Sequence, residues 1–253
     1  MAAIATVGDA ARLAATARHD LACQIFHRHD TLRPDNLAQA YAIQQSVCQS
    51  LGAFGGWEIC HPPFGPTVAC APLPLASIHP AGLPVPKHDA EVIDLAVDIC
   101  FRLGRSLPDY DAPYTRHHVR AAIESCHPGL TVLQRPSRDP GLIDPLADIA
   151  ESCSHGLLVT GEPVANWSRL ETGRIAVEVR QRRERIFSGD LGLADDPIDA
   201  LLWLANHGAR WDGGLMVGQW VAIRLGSKEM SIRTGQPAHI TVGGLGSIDL
   251  RFI

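Results

Sequence analysis

No run of apolar residues in this 253-residue chain approaches the ~20 needed to span a bilayer, and its first residues lack the basic start and apolar stretch of a secretory signal. A cytoplasmic location with no membrane partner is the expectation. Charge is also scarce: 19% of residues are charged, the formal net charge is -5 and the sequence pI about 6.2. No broad basic surface therefore awaits a nucleic-acid backbone, and the local run Arg180-Gln181-Arg182-Arg183 reads as a solvated strand edge or helix face. The seven cysteines include no Cys-x-x-Cys pair and are odd in number, which argues against a zinc knuckle and a disulfide framework alike. They read as small buried hydrophobes. Internal repeats are absent.

What is present is 46% hydrophobic residues, enough for a sizeable core. Ala10, Leu13, Ala14, Ala17, Leu21 and Ile25 recur at helical spacing and predict a helix within 8–26. A second helix follows, with Pro34 in its first turn and Gly52 as its stop. From Gly52 to Pro86 the density of Gly and Pro predicts loop with short extended pieces. Strict alternation of Ile93, Leu95, Val97, Ile99, Phe101 and Leu103 with Asp94, Ala96, Asp98, Cys100 and Arg102 predicts a strand with one packed face and one face carrying two carboxylates. Pro113 opens a further helix, Leu130 to Leu133 is a short strand, and Asp196 caps a helix stopped by Gly208. The last forty or so residues are strands punctuated by glycine. Together these describe an α+β protein whose sheets curl into a barrel or sandwich.

Several segments, taken in order, carry a resemblance. They are Asn36 to Gln44 with its Ala-Tyr-Ala-Ile-Gln, Gly56-Trp57-Glu58-Ile59, and Asp98-Ile99-Cys100-Phe101-Arg102-Leu103-Gly104 with Leu107-Pro108. Ala150-Glu151-Ser152-Cys153-Ser154 ahead of Val159-Thr160-Gly161, Asp196-Pro197 to Asn206, Gly218-Gln219-Trp220-Val221 to Gly226-Ser227, and Leu245-Gly246-Ser247 complete the series. The chain in this respect resembles the 2-keto-4-pentenoate hydratase and 4-oxalocrotonate decarboxylase branch of the fumarylacetoacetate hydrolase superfamily. The resemblance implies a mixed β-barrel or sandwich, with residues 1–60 as an N-terminal helical segment packed on a β-rich unit, 61–253. It implies a homo-oligomer, which the apolar end strands and five tryptophans also suit. It further implies a lyase that holds a small 2-oxo or enolic acid on magnesium or manganese.

Carried across by position, that family's three metal-binding carboxylates fall on Ala96, Asp98 and Thr131, and its lysine falls on Glu58. One shortened carboxylate does not hold magnesium against water, so the expectation is no metal ligand set and no cofactor. Asp98, Glu58, Glu151 and His61 remain as acid and base candidates. Glu58 stands beside Trp57, where an apolar setting would raise a carboxyl pKa toward neutrality. Trp57, Thr131, Arg135, Ser154 and Ser227 are the expected substrate contacts, Arg135 as a clamp on a carboxylate. Three readings follow: a divergent metal-free lyase, a homologue kept as a binding or partner subunit, and a metal-dependent hydratase with Glu91, Asp94 and Asp98 as rearranged ligands. Asp94 and Asp98 share a strand face but lie about 13 Å apart along it.

Overall fold

The computed structural model describes residues 33–61, 68–85, 90–134, 144–209 and 213–253. The helix expected within 8–26, Cys23 and Arg135 lie outside the described residues. Helix α1 (Leu37–Ser50) is capped by Asn36, whose side chain accepts from the Gln39 N–H at 3.0 Å, so Pro34 precedes the helix instead of opening it. Gly52, at φ +95°, follows its end as expected. Three short helices also start on side-chain caps: α2 (Arg116–Ala122) on Thr115, α3 (Pro145–Ala150) on Asp144 and α4 (Pro197–Trp203) on Asp196.

The strands are β1 (Phe54–Cys60), β2 (Ala69–Pro74), β3 (Ile78–Pro80), β4 (Val92–Leu103), β5 (Leu107–Pro108), β6 (Ile123–Leu133) and β7 (His155–Thr160), followed by β8 (Ile175–Gln181) and β9 (Glu184–Leu191). The series ends with β10 (Gly214–Leu215), β11 (Trp220–Arg224), β12 (Met230–Arg233), β13 (Ala238–Val242) and β14 (Gly246–Leu250). An eight-stranded sheet runs β2-β1-β11-β4-β6-β7-β3, and β12 pairs with β4 beyond the end of β11. A second, antiparallel sheet runs β14-β13-β8-β9.

The segment expected to be loop with short extended pieces contains β1, β2 and β3, and β1 is an inner strand of the large sheet, between β2 and β11. Its glycines mislead a local reading, because they serve close packing: a Cβ on Gly56 would sit 2.1 Å from the Trp220 carbonyl oxygen. A division after residue 60 thus assigns a sheet strand to the helical segment.

The predicted alternation in β4 places Ile93, Leu95, Val97, Ile99, Phe101 and Leu103 in the main core. Val177, Val179, Ile240, Val242, Ile248 and Leu250 of the second sheet belong to the same core. Each such side chain contributes roughly 1.5–3 kcal/mol on burial. The other face of β4 is buried too, at Ala96, Asp98 and Cys100. Helices α1 and α3 pack over this side of the sheet with Cys60, Ala69 and Ala71. Buried Gln44 fastens them, its amide donating to the carbonyls of Cys70 (3.1 Å) and Ile149 (2.6 Å). Among the described residues no helix is long and apolar enough to cross a membrane.

Candidate active site

The helix-covered face of the large sheet concentrates buried polar groups. Alternation directs Glu58 of β1, Ala222 and Arg224 of β11, Asp98 and Cys100 of β4, and Thr131 of β6 to this side. The register sets Glu58 opposite Ala222, Ala222 opposite Cys100, Arg224 opposite Asp98 and Asp98 opposite Gly129. Small residues at Ala222, Gly129 and Ala96 leave room for long polar side chains between them. Glu58, Asp98 and Thr131 are fully buried, and the Arg224 side chain is 10% exposed.

Glu58 is held from two sides. One of its oxygens accepts from the Arg224 guanidinium and the other from His155 Nδ1 at 3.1 Å. Burial alone would raise the Glu58 carboxyl, but the Arg224 charge and the His155 hydrogen bond outweigh it and hold the group below its usual value. Arg224 stays charged: burial opposes the cation, and Glu58 more than restores it. His155 Nε2 lies 3.0 Å from Ser77 Oγ, so a chain of hydrogen bonds runs from half-buried Ser77 to the buried pair.

Asp98 is placed differently. Its Oδ2 accepts from Thr131 Oγ1 at 2.7 Å, while Oδ1 is buried with no hydrogen-bond partner. Burial and then the Glu58 charge push its carboxyl up to about 7, against the opposing pull of Arg224 and Thr131. Arg224 Nε is likewise buried and unpartnered. An acceptor and a donor thus stand open on side chains whose backbones are paired across β4 and β11.

Gly129 permits this approach. A Cβ there would meet Cys100 Sγ at 2.2 Å and Asp98 Cβ at 3.0 Å. Gly129→Ala is expected to cost about 1–3 kcal/mol by forcing Asp98 and Cys100 aside, read as a lower urea midpoint; an unchanged midpoint would mean that the two strands yield freely.

The turn from α3 into β7 delivers His155. Ser152, Cys153 and Ser154 all have left-handed backbones, at φ 63°, 57° and 60°. Such residues cost of order 1 kcal/mol or more each when they are not glycine, and persist where the surroundings hold them. Ser154 Oγ donates to Asp148 of α3, and the Cys153 carbonyl lies 3.5 Å from an Arg224 nitrogen.

Of the residues expected from sequence, Glu58, Asp98 and Thr131 share this cluster. Trp57 does not: period two turns it to the opposite face, into the main core against Phe54. His61 is exposed just past β1, and Ser227 is exposed in the turn after β11. Ser154 is buried but bonds back to Asp148 of α3 instead of facing the cluster. Glu151 is buried at the end of α3, its N–H on the Ala147 carbonyl at 2.9 Å. Arg224, His155 and Ser77 were not singled out from sequence. The signal for Arg224 was legible, since an arginine in phase with Ala222 on a short apolar strand must find an anion.

No family model matches the sequence. The fold is similar to 4-oxalocrotonate decarboxylase from Pseudomonas putida G7, solved with magnesium and adipate, at a TM-score of 0.80 and 18% identity over 98% of this chain and 97% of that one. It is similar to the fumarylacetoacetate hydrolase of psychrophilic Exiguobacterium antarcticum (TM-score 0.58, 12% identity, 80% and 76% covered). It also resembles fumarylpyruvate hydrolase from Pseudomonas aeruginosa, solved with Mn2+ and pyruvate (0.51, 13%, 79% and 89%).

The residues present do not fit a hard divalent ion of that kind. Such an ion needs several free oxygens, whereas Thr131 occupies one Asp98 oxygen, Arg224 and His155 occupy both Glu58 oxygens, and the guanidinium already places a positive charge among them. Glu91 is exposed, and Asp94 accepts from Ser231 at 2.5 Å, so the alternative set with Asp98 does not assemble. Among the described residues, no three His, Cys, Asp or Glu side chains form a group that could hold a metal. What the architecture establishes is the α+β fold of the fumarylacetoacetate hydrolase-like proteins, with an N-terminal helix laid over the polar face of the sheet.

Proposed function

We propose that this chain is a lyase-type enzyme that moves a proton at the carbon beside the keto group of a small 2-oxo or enolic acid, with the Arg224 cation in place of a divalent metal. The observation that carries the reading is the open pair on opposite strands: Asp98 Oδ1 and Arg224 Nε, both buried and both without a partner. Unsatisfied buried groups are rare enough in native proteins that each calls for an explanation, and one small acid bridging the two supplies it. An enolic acid offers a hydroxyl or acidic C–H to Asp98 and an oxygen to Arg224.

A carboxyl near pH 7 is suited to giving and taking a proton at neutrality. In one direction Asp98 takes the proton from carbon, and the electron pair of the broken C–H bond moves onto the keto oxygen as an enolate, which the guanidinium stabilises. In the other direction, protonated Asp98 gives its proton to the enolic carbon. Loss of carbon dioxide from a 2-oxo acid with a carboxyl one carbon further on delivers the same enolate. Glu58 is ionised and doubly bonded, so it positions Arg224 and is not the base.

The test uses chelator-treated protein, oxalate as a planar stand-in for the enolate, and pyruvate in D2O followed by NMR. Oxalate is expected to bind without metal, and exchange of the pyruvate methyl hydrogens to fall by roughly 10²–10⁴ in Asp98→Asn. Binding that requires magnesium or manganese would overturn the metal-free site. Absence of both binding and exchange would overturn the enzyme.

A further inference from the structure

We propose that a cleft between the two sheets, remote from the Asp98 cluster, binds a small polyanion, a molecule presenting several carboxylate or phosphoryl oxygens close together. The cleft measures about 640 Å³, within the usual range for small-molecule sites. Arg182 and Arg183 line it from the turn between β8 and β9, and Arg233 lines it from the end of β12. Glu184 is the one acidic side chain among the described residues of the lining. Among the described lining residues, three arginines stand against one glutamate, a net positive balance.

Neighbouring arginines are engaged differently. Arg174 pairs with Asp190, and Arg180 and Arg185 both pair with Glu178. Among the described residues, no ion pair engages Arg182, Arg183 or Arg233. Exposed arginines alone are ordinary, but these come from different sheets and are fixed together. Gln181 is 3% exposed; its amide donates to the carbonyls of Arg233 (2.9 Å) and Gln236 (3.1 Å), and its Oε1 accepts from the Arg233 N–H (2.9 Å). That buried clamp ties the backbone next to Arg182 to the backbone of Arg233 before any ligand arrives, which lowers the ordering cost of binding. Arginine forks suit oxyanions of either kind. Val92 of the lining lies six residues from Asp98 along β4, about 20 Å away, so the cleft is separate from the proposed lyase chemistry.

The experiment is calorimetric titration of the full chain with inorganic pyrophosphate and, separately, with citrate, at low and high salt. At least one is expected to bind, more weakly as salt rises. Arg182→Asn combined with Arg233→Gln is expected to weaken binding by at least about tenfold. Arg182 has a left-handed backbone at φ 53°, which asparagine tolerates well, so that change removes charge without threatening the fold. Glu184→Gln is expected to tighten binding severalfold, and Asp98→Asn to leave it unchanged. A preference between the probes identifies phosphoryl or carboxylate as the ligand chemistry. Failure of both to bind overturns the proposal, as does binding that the arginine changes and Glu184→Gln leave untouched. Concentration-dependent self-association abolished by the arginine changes, without probe binding, would overturn it in favour of an acidic segment of a second copy.

Discussion

Asp98→Asn is expected to stabilise the folded protein at pH 8 by roughly 2–3 kcal/mol, an increase of about 5–10 °C in melting temperature for a chain of this length. A carboxyl moved from 3.8 to about 7 binds its proton more tightly in the fold than in the unfolded chain. The stability tied to that proton is fully present below pH 3.8, is lost as pH rises toward 7, and amounts to roughly 4 kcal/mol at about 1.4 kcal/mol per pH unit. Asparagine keeps an oxygen for the Thr131 hydroxyl but places an amide where Oδ1 has no partner, which takes back about 1–2 kcal/mol. Denaturant melts between pH 4 and 9 provide the check. The wild type should lose stability relative to Asp98→Asn across this window, and parallel curves would show that Asp98 titrates as an ordinary surface acid.

Glu58→Ala should do the reverse, costing about 3–5 kcal/mol at neutral pH, because Arg224 then keeps a buried charge whose main partner is gone. Replacing both ends, Glu58→Leu with Arg224→Met, is expected to recover at least half of the loss, since two desolvated charges leave together. The pH signature is also opposite in sign. The Glu58 carboxyl lies below its ordinary value of 4.5, so its stabilisation is present above that pH and disappears as pH falls through the lower folded value. Thermal melts of the two single variants and the double variant decide the matter. A double variant no better than Glu58→Ala would mean that shape, and not charge pairing, sets the cost.

These two residues also show how far the sequence could be read. Alternation in β4 is a purely local signal, and it placed Asp98 on the face opposite the main core because the eleven residues from Ile93 to Leu103 follow period two. Glu58 was found through the resemblance, yet the same alternation ought to have excluded Trp57, its neighbour on β1. β1 itself was hidden because Gly55 and Gly56 read as loop, whereas Gly56 serves close contact with a strand more than 160 residues away and Gly55 packs against Leu75 and Ile78. Arg224 and His155 were missed for a related reason. Their meaning depends on Glu58, which approaches them only through sheet pairing and through a left-handed turn that no propensity favours. The candidate site is therefore built from long-range register, whereas helix caps at Asn36, Thr115, Asp144 and Asp196 follow from residues within four positions.

The six described cysteines are all buried, and their distribution gives the protein a set of internal clocks. Cys60 and Cys153 lie under the helical cover, Cys100 lies beside Asp98, and Cys126 belongs to the main core. Burial pushes the Cys70 and Cys126 thiols up to about 12, so in the closed protein they are neither reachable nor ionised. A thiol reagent must wait for the segment above each cysteine to lift. The order in which they react therefore measures which layer opens first, and does so without any added label. If the helical cover is the route by which a small acid reaches Asp98, Cys60 and Cys153 keep time for the same opening that admits it.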